Sequence, residues 1–309
     1  MKKQSGPGSD PASIPAGGPA PLVAPTFQVG EVAGFVIADG NAQYPPDFLF
    51  ANIGDAERAE SLAGRLDEQG EVTSHYQCIV LRTAGHTVLV DTGLGALAEV
   101  MGAPAGHLRP ALAAAGFTPE DIDTVVLSHA HPDHIGGLVH DNRLAFPNAR
   151  HVMSATEWAF WTDPDSLARM HEMLSAPARA LLPPLRDADA VDLLDREDQI
   201  VPGVRLVPAP GHTPGHCVVA LESDGERATL LADAVLDDLN FTHPDWVSYV
   251  DVDPETTEHT RRRLLDESAR DGGRVIAYHM TGIGHVERRG RAYCFVREVA
   301  AGGEESWRS

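Results

Sequence analysis

The stretch that decides the reading is Thr124-Val125-Val126-Leu127-Ser128-His129-Ala130-His131-Pro132-Asp133-His134-Ile135-Gly136-Gly137. Its opening is apolar and rich in β-branched residues, which predicts a buried strand. That strand delivers the chain straight into three imidazoles and a carboxylate at His129, His131, Asp133 and His134. A loop that needed only polarity has no reason to place imidazole at alternate positions. In extended backbone His129 and His131 project to the same side and can hold one metal ion, while Asp133 and His134 lean toward a second. Gly136 and Gly137 come next, where the backbone can turn sharply.

A pair of ions needs further ligands, and strand ends elsewhere offer them. Residues 204–208 and 217–221 read as strands flanking Gly211-His212-Thr213-Pro214-Gly215-His216; residues 228–231 form another that ends at Asp233, and residues 274–278 one that ends at His279. Upstream, residues 87–90 run into Asp91-Thr92-Gly93 and pair with residues 75–82 across Ala84-Gly85. Strand-like runs from Phe27 stop at Asp39-Gly40-Asn41, a turn signal, and lead to the aromatic loop Tyr44-Pro45-Pro46-Asp47-Phe48-Leu49-Phe50. A short helix is expected over residues 107–115, and a capped single turn after Thr118-Pro119. Ser154-Ala155-Thr156-Glu157 is a capping box opening a helix with Trp158, Phe160 and Trp161, and a second helical stretch spans residues 166–182. Asp253-Pro254 caps a long helix that Gly272 ends; on it Arg261-Arg262-Arg263 reads as a solvated face. With no short-period repeat and no second linker, residues 27–309 are expected to be one domain, preceded by a flexible Pro/Gly-rich tail over residues 1–26.

These residues together resemble the metallo-β-lactamase superfamily, whose first-loop motif is His-x-His-x-Asp-His with a later His, Asp and His. The resemblance implies an α/β fold of the four-layered αββα type. It also implies that His129, His131 and His212 hold one metal, that Asp133, His134 and His279 hold the other, and that Asp233 bridges both. Asp91 matches the family's supporting aspartate, and His216 is expected to orient a ligand from behind. The true β-lactamases of the superfamily lack a bridging Asp where Asp233 stands, which argues against antibiotic hydrolysis. The long interval from His134 to His212 and the tail His279-Met280-Thr281-Gly282-Ile283-Gly284-His285 look most like the methyl parathion hydrolase and quorum-quenching lactonase branch. Two features depart from it: Met280-Thr281-Gly282 replaces a Phe-Pro-Gly stretch, and Leu236 stands at the lactonase tyrosine position. The activity so implied is that of a hydrolase in which a hydroxide bridging two divalent ions attacks a neutral ester, lactone or phosphotriester, with the leaving alkoxide protonated by Asp133 or a metal-bound water. Zinc suits a thiolate-free His/carboxylate set, and manganese, iron and cobalt tolerate it. Phe48, Phe50, Trp158, Trp161, Leu236, Phe241, Trp246 and His285 are the candidate pocket residues. The competing readings are a thioesterase of the glyoxalase II or carrier-protein type and a non-catalytic metal-containing binding module.

Composition narrows the partners. The 309 residues carry 24 Lys plus Arg against 45 Asp plus Glu, a formal charge of -21 that repels phosphate backbones and anionic bilayers. Nucleic acid and membrane are therefore disfavoured, and a small-molecule substrate is expected, with homodimerisation left open. No apolar run is long enough to span a bilayer and no export signal follows Lys2-Lys3. Cys78, Cys217 and Cys294 are odd in number and widely spread, which suits a reducing cytoplasm and free core thiols rather than disulfides or a Cys-based zinc site.

Overall fold

The structure, a computed structural model, describes residues 26–298. The flexible segment expected at residues 1–26 therefore lies outside the described residues, apart from Thr26, which opens the first strand. Fourteen strands form two seven-stranded sheets, each laid down in chain order. The first contains β1 (Thr26–Val29), β2 (Val32–Tyr44), β3 (Val72–Thr83), β4 (His86–Val90), β5 (Thr124–Val126), β6 (Arg150–Ser154) and β7 (Val191–Leu194). The second contains β8 (Asp198–Val201), β9 (Val204–Pro208), β10 (Cys217–Ser223), β11 (Glu226–Ala232), β12 (Arg274–Ala277), β13 (Gly284–Arg289) and β14 (Ala292–Arg297). Within β4 to β7, and between β11 and β12, neighbouring strands run parallel; the other pairs are antiparallel.

Period-two side chains build the layers. Val88 and Val90 of β4 and Val219 and Leu221 of β10 meet between the sheets, with Val36, Ile79, Val126, Leu206, Leu230 and Ile276. Leu89 and Val125 point the other way, into helices carrying Leu108 and Leu112. Val218 and Leu231 likewise turn outward onto Leu264 and Leu265 of the helix Pro254–Asp271. Helix, sheet, sheet, helix is the four-layered αββα sandwich. At roughly 25 cal/mol per Å² of apolar surface withdrawn from water, each fully buried Leu or Val of the middle layer contributes about 1.5–3 kcal/mol before entropy is counted.

Several local expectations change. Asp39-Gly40-Asn41 is no turn: β2 runs through it with a bulge between Ala38 and Gly40. The buried Asp39 carboxylate accepts N–H bonds from Leu94, Gly106 and Leu108, so the polar residue serves neighbouring loops rather than a reversal. The helical stretch of residues 166–182 breaks into Pro164–Leu167 and Glu172–Leu181. Gly136 and Gly137 are required by close approach: an added Cβ would lie 2.1 Å from Leu94 O and from Thr92 O, respectively. Arg261 belongs to no solvated face. It is fully buried and donates to the carbonyls of Ala234, Pro244 and Trp246, whereas Arg262 and Arg263 do pair with Glu258 and Glu267 at the surface.

Candidate metal centre

The parallel strands point their C-terminal ends the same way, so segments distant in sequence surface at one edge of the sandwich. β5 leads into His129, His131, Asp133 and His134; the β9–β10 turn carries His212; Asp233 directly follows β11, and His279 follows β12 after Tyr278. The register shift between Leu230 and Ala232 and the left-handed backbone of Ala232 (φ 43°) redirect Asp233 at the end of its strand. Such a conformation is costly for a residue with a Cβ and persists where the surroundings enforce it.

Two groups result. One ligand-capable atom each from His129, His131, His212 and Asp233 lies within 4.8 Å of the others, and so does one each from Asp133, His134 and His279. Asp233 sits between the groups: its Oδ2 is 3.1 Å from His212 Nε2 and 3.1 Å from His279 Nε2, and its Oδ1 is 3.1 Å from His134 Nε2. Asp133 Oδ2 lies 3.6 Å from His134 Nε2 and 3.5 Å from His279 Nε2.

What stands behind each ring decides its tautomer. His134 Nδ1 is 2.8 Å from Asp91 Oδ2 and His212 Nδ1 is 2.7 Å from Asp251 Oδ1; His279 Nδ1 lies 3.1 Å from the carbonyl of His75. Those oxygens can only accept, so Nδ1 carries the proton and the Nε2 lone pair is left facing the cluster. Ser128 completes the pattern, since its hydroxyl donates to Asp91 Oδ2 and so accepts from His129 Nδ1 at 3.1 Å. Asp91, itself left-handed (φ 60°), also accepts the Ser128 N–H at 2.8 Å. His216 stands behind the site: its Nδ1–H donates to Ala209 O and its Nε2 accepts the Asp233 N–H at 3.2 Å, fixing the backbone of that aspartate.

Electrostatics divides the rings: burial lowers but the surrounding carboxylates raise His134 and His212, whose Nε2 must give up a proton before it can bind a cation. Burial, reinforced by neighbouring imidazoles, holds His129 and His131 well below the usual histidine range and brings His216 to about 4. Burial works against the Asp233 carboxylate, but four surrounding histidines outweigh it and hold the group ionised. For His212, burial pushes the imidazole down and the carboxylates of Asp233 and Asp251 lift it to about 9. His129 Nε2, His131 Nε2, His134 Nε2 and Asp233 Oδ1 are buried without a hydrogen-bond partner. Orphaned polar atoms are expensive in a protein interior, and several facing one point fit divalent cations. Imidazole and carboxylate without thiolate suit zinc; Cys78 and Cys217 are buried elsewhere as free thiols.

Two residues that sequence reasoning passed over hold the loops together. Glu157 expresses only half of its capping box: its N–H meets Ser154 Oγ, but its side chain turns inward. There Oε1 accepts from Ala130 N–H and Trp161 Nε1–H, and Oε2 from Thr213 Oγ1 and Gly215 N–H, tying both histidine loops to one helix. Asp251, with Oδ2 held by Ser248 N–H, supports His212. The capping box predicts only the helix start, and neither residue's supporting role has a local motif, because each acts on groups distant in sequence.

Of the expected pocket residues, Phe48 and Leu236 line the cavity over the cluster. The others do not. Phe50 and Trp246 pack edge to face in a satellite core, Phe241 stacks on Phe295, Trp161 is buried with its N–H on Glu157, and Trp158 packs against the outer core. His285 lies on β13 facing Val296 of β14, away from the cavity. Aromatic content alone could not separate wall from core, because both bury apolar area. Tyr44, Tyr76, Met101, Met173 and Val250 also line the wall.

Comparison with known proteins agrees with this architecture. Residues 74–279 match the Metallo-beta-lactamase superfamily. N-acyl homoserine lactonase AiiA of Bacillus thuringiensis subsp. kurstaki is 28% identical over 206 residues, covering 61% of this chain and 74% of that one. Among solved structures, hydrolase AbOPH of the beta lactamase superfamily superposes with a TM-score of 0.81 at 27% identity, covering 89% of this chain and 97% of that one. AidC, a dizinc quorum-quenching lactonase in complex with a product, gives 0.79 at 26% identity, covering 90% and 98%. Residues that arrive at one sheet edge from seven positions, on the fold those proteins share, leave one assignment: this chain belongs to the metallo-beta-lactamase superfamily.

Proposed function

We propose that this metal-dependent hydrolase opens a lactone that carries an apolar acyl arm, using two divalent ions, with zinc the first choice. His129, His131 and His212 would hold one ion, Asp133, His134 and His279 the other, and Asp233 both. The observation that carries the reading is the convergence of these seven side chains around buried, unpartnered nitrogen and oxygen atoms on the floor of an apolar cavity. Bound there, such a pair lowers the pKa of a water toward neutrality and polarises a carbonyl or phosphoryl oxygen.

The protein's own groups do the rest. Phe48, Leu236, Met101, Met173 and Val250 form an apolar wall that seats the arm and thins the water around the floor. Asp133 has the most exposed side chain of the carboxylates at the floor, and would take up the proton of the attacking hydroxide and pass it to the leaving oxygen. The relatives named for acyl homoserine lactones support the lactone class over phosphotriesters and plain esters.

A panel of acyl homoserine lactones, aryl esters, phosphotriesters and acyl thioesters, assayed with zinc-loaded protein, tests the reading. Lactones should be the best substrates, metal content about two per chain, and His129→Ala should lower kcat/KM at least about 1000-fold by removing a ligand. Metal content well below one per chain, or full activity in His129→Ala, sinks the proposal; preference for thioesters moves the assignment to the thioesterase alternative.

A further inference from the structure

Four polar side chains of the cavity wall lie outside the proposed ligand set: Tyr44, Ser74, Tyr76 and Ser248. Two are engaged. Ser248 Oγ donates to Phe48 O, and Ser74 Oγ is turned to His279 Nδ1 at 2.9 Å. Tyr44 and Tyr76 hydrogen-bond to each other through their hydroxyls, and no other hydrogen bond reaches either hydroxyl among the described residues. A phenol pair holds two protons and needs one for its mutual bond, so the second is free to donate.

Both rings are clamped. Tyr44 stacks on Phe48 with centroids 4.9 Å apart, toward the mouth; Tyr76 is fully buried, stacks on Tyr278 at 6.0 Å and sets its ring edge to face with His279 at 5.6 Å. Strand geometry places Ser74 and Tyr76 on one face of β3, with Tyr44 at the end of the adjoining β2. Both rings line the cavity together with Asp133, Asp233 and His279, and Tyr76 is the one packed against a proposed ligand ring. A phenol keeps its proton at neutral pH, so either hydroxyl can donate.

We propose that Tyr76, held in place by the hydroxyl of Tyr44, donates a hydrogen bond to the oxygen of the scissile carbonyl as negative charge builds on it, with Tyr44 as the positioning residue. The inference rests on the hydrolase reading above. A fixed donor in a dry site costs no reorganisation when charge develops, and loss of one such donor in other enzymes lowers kcat by about 100- to 1000-fold. Tyr44 acts through Tyr76, so its removal should cost less, and removing both should cost no more than removing Tyr76.

The experiment compares zinc-loaded wild type, Tyr76→Phe, Tyr44→Phe and the double variant. The readouts are kcat and KM for an acyl homoserine lactone, metal content, thermal midpoint and calorimetric affinity for a phosphonate ester mimicking the tetrahedral oxyanion. Expected are a fall in kcat of about 100-fold for Tyr76→Phe and about tenfold for Tyr44→Phe, KM within about threefold, unchanged metal content, and analogue affinity reduced in step. Unchanged kcat in folded, metal-replete Tyr76→Phe overturns the proposal, as does a rise in KM alone, which means contact with a non-reacting part of the substrate. If Tyr76→Phe does not fold, Tyr44→Phe decides, and unaltered kcat there overturns it. A wild type that hydrolyses no member of the panel overturns the hydrolase reading instead; the analogue then decides for the pair, and equal affinity in wild type and Tyr76→Phe overturns its role.

Discussion

Glu157 shows how much of this centre depends on a residue that never reaches it. Its carboxylate is fully buried, which pushes its pKa up, and four donors from three segments hold it. Glu157→Gln keeps the shape but turns one acceptor into a donor, so two of those four donors meet an NH2 group instead of an oxygen. Each buried donor left unmade costs about 1–3 kcal/mol, so we expect a loss of about 2–4 kcal/mol in urea unfolding, together with weaker retention of metal because one of the two histidine loops, at Ala130 or at Gly215, loses its tie to the helix. A change under about 0.5 kcal/mol with full metal content would mean the clamp is dispensable. Asp251 behind His212 and Ser74 behind His279 belong to the same class of supporting residue.

At the scale of elements, the strand ends were legible because their signal is local. An apolar run followed closely by a metal-capable side chain announces itself at Leu127–Ser128–His129, Ala232–Asp233 and Tyr278–His279, whereas the unbroken apolar run Val88-Leu89-Val90 left it to the fold to turn Val88 and Val90 toward the partner sheet and Leu89 toward the helices. Asp39, Arg261 and Glu157 were not legible in the same way: each satisfies backbone groups of other segments, and no window of sequence contains both halves of the interaction. Wall and core aromatics were confused for a related reason, since burial by a substrate and burial by the fold demand the same residue types. β6 offers a test of element stability. His151 on that strand is buried, its Nδ1–H bonds Ala190 O at the entry to β7, its Nε2 has no partner, and burial lowers its pKa to about 4. An imidazole depressed in the folded state favours unfolding wherever the unfolded chain is protonated and the native one is not. Stability is thus intact above the unfolded value near 6.5 and falls as pH drops from there toward 4. One pKa unit is worth about 1.4 kcal/mol, so the stability gap between wild type and His151→Gln should shrink by about 2–3 kcal/mol from pH 7 to 4.5, read from urea midpoints. A gap constant within about 0.5 kcal/mol assigns the acid sensitivity of the chain to other groups.

Taken as a whole, the molecule has its two sheets joined at one edge by the proposed ion pair. His129, His131, Asp133 and His134 come from the loop after β5 of the first sheet, while His212, Asp233 and His279 come from the second, so coordination shells built from them would span the interface between the sheets. Without ions the same place gathers desolvated imidazole nitrogens and a carboxylate oxygen that lack partners, on a chain whose formal charge of -21 already favours expansion. Ligand binding to the native state alone adds about 4 kcal/mol at a thousandfold excess over Kd, and for a chain of this size each kcal/mol moves the thermal midpoint by roughly 2–4 °C. Stripping the metal with a chelator should therefore lower the midpoint in scanning calorimetry by about 10 °C, and returning zinc should restore it. High salt should recover only a small part of the loss, because screening relieves surface repulsion but leaves the buried, unpartnered atoms as they are. A shift of less than about 2 °C on complete removal of metal would mean that the sandwich closes without the ions, and that their role is confined to chemistry.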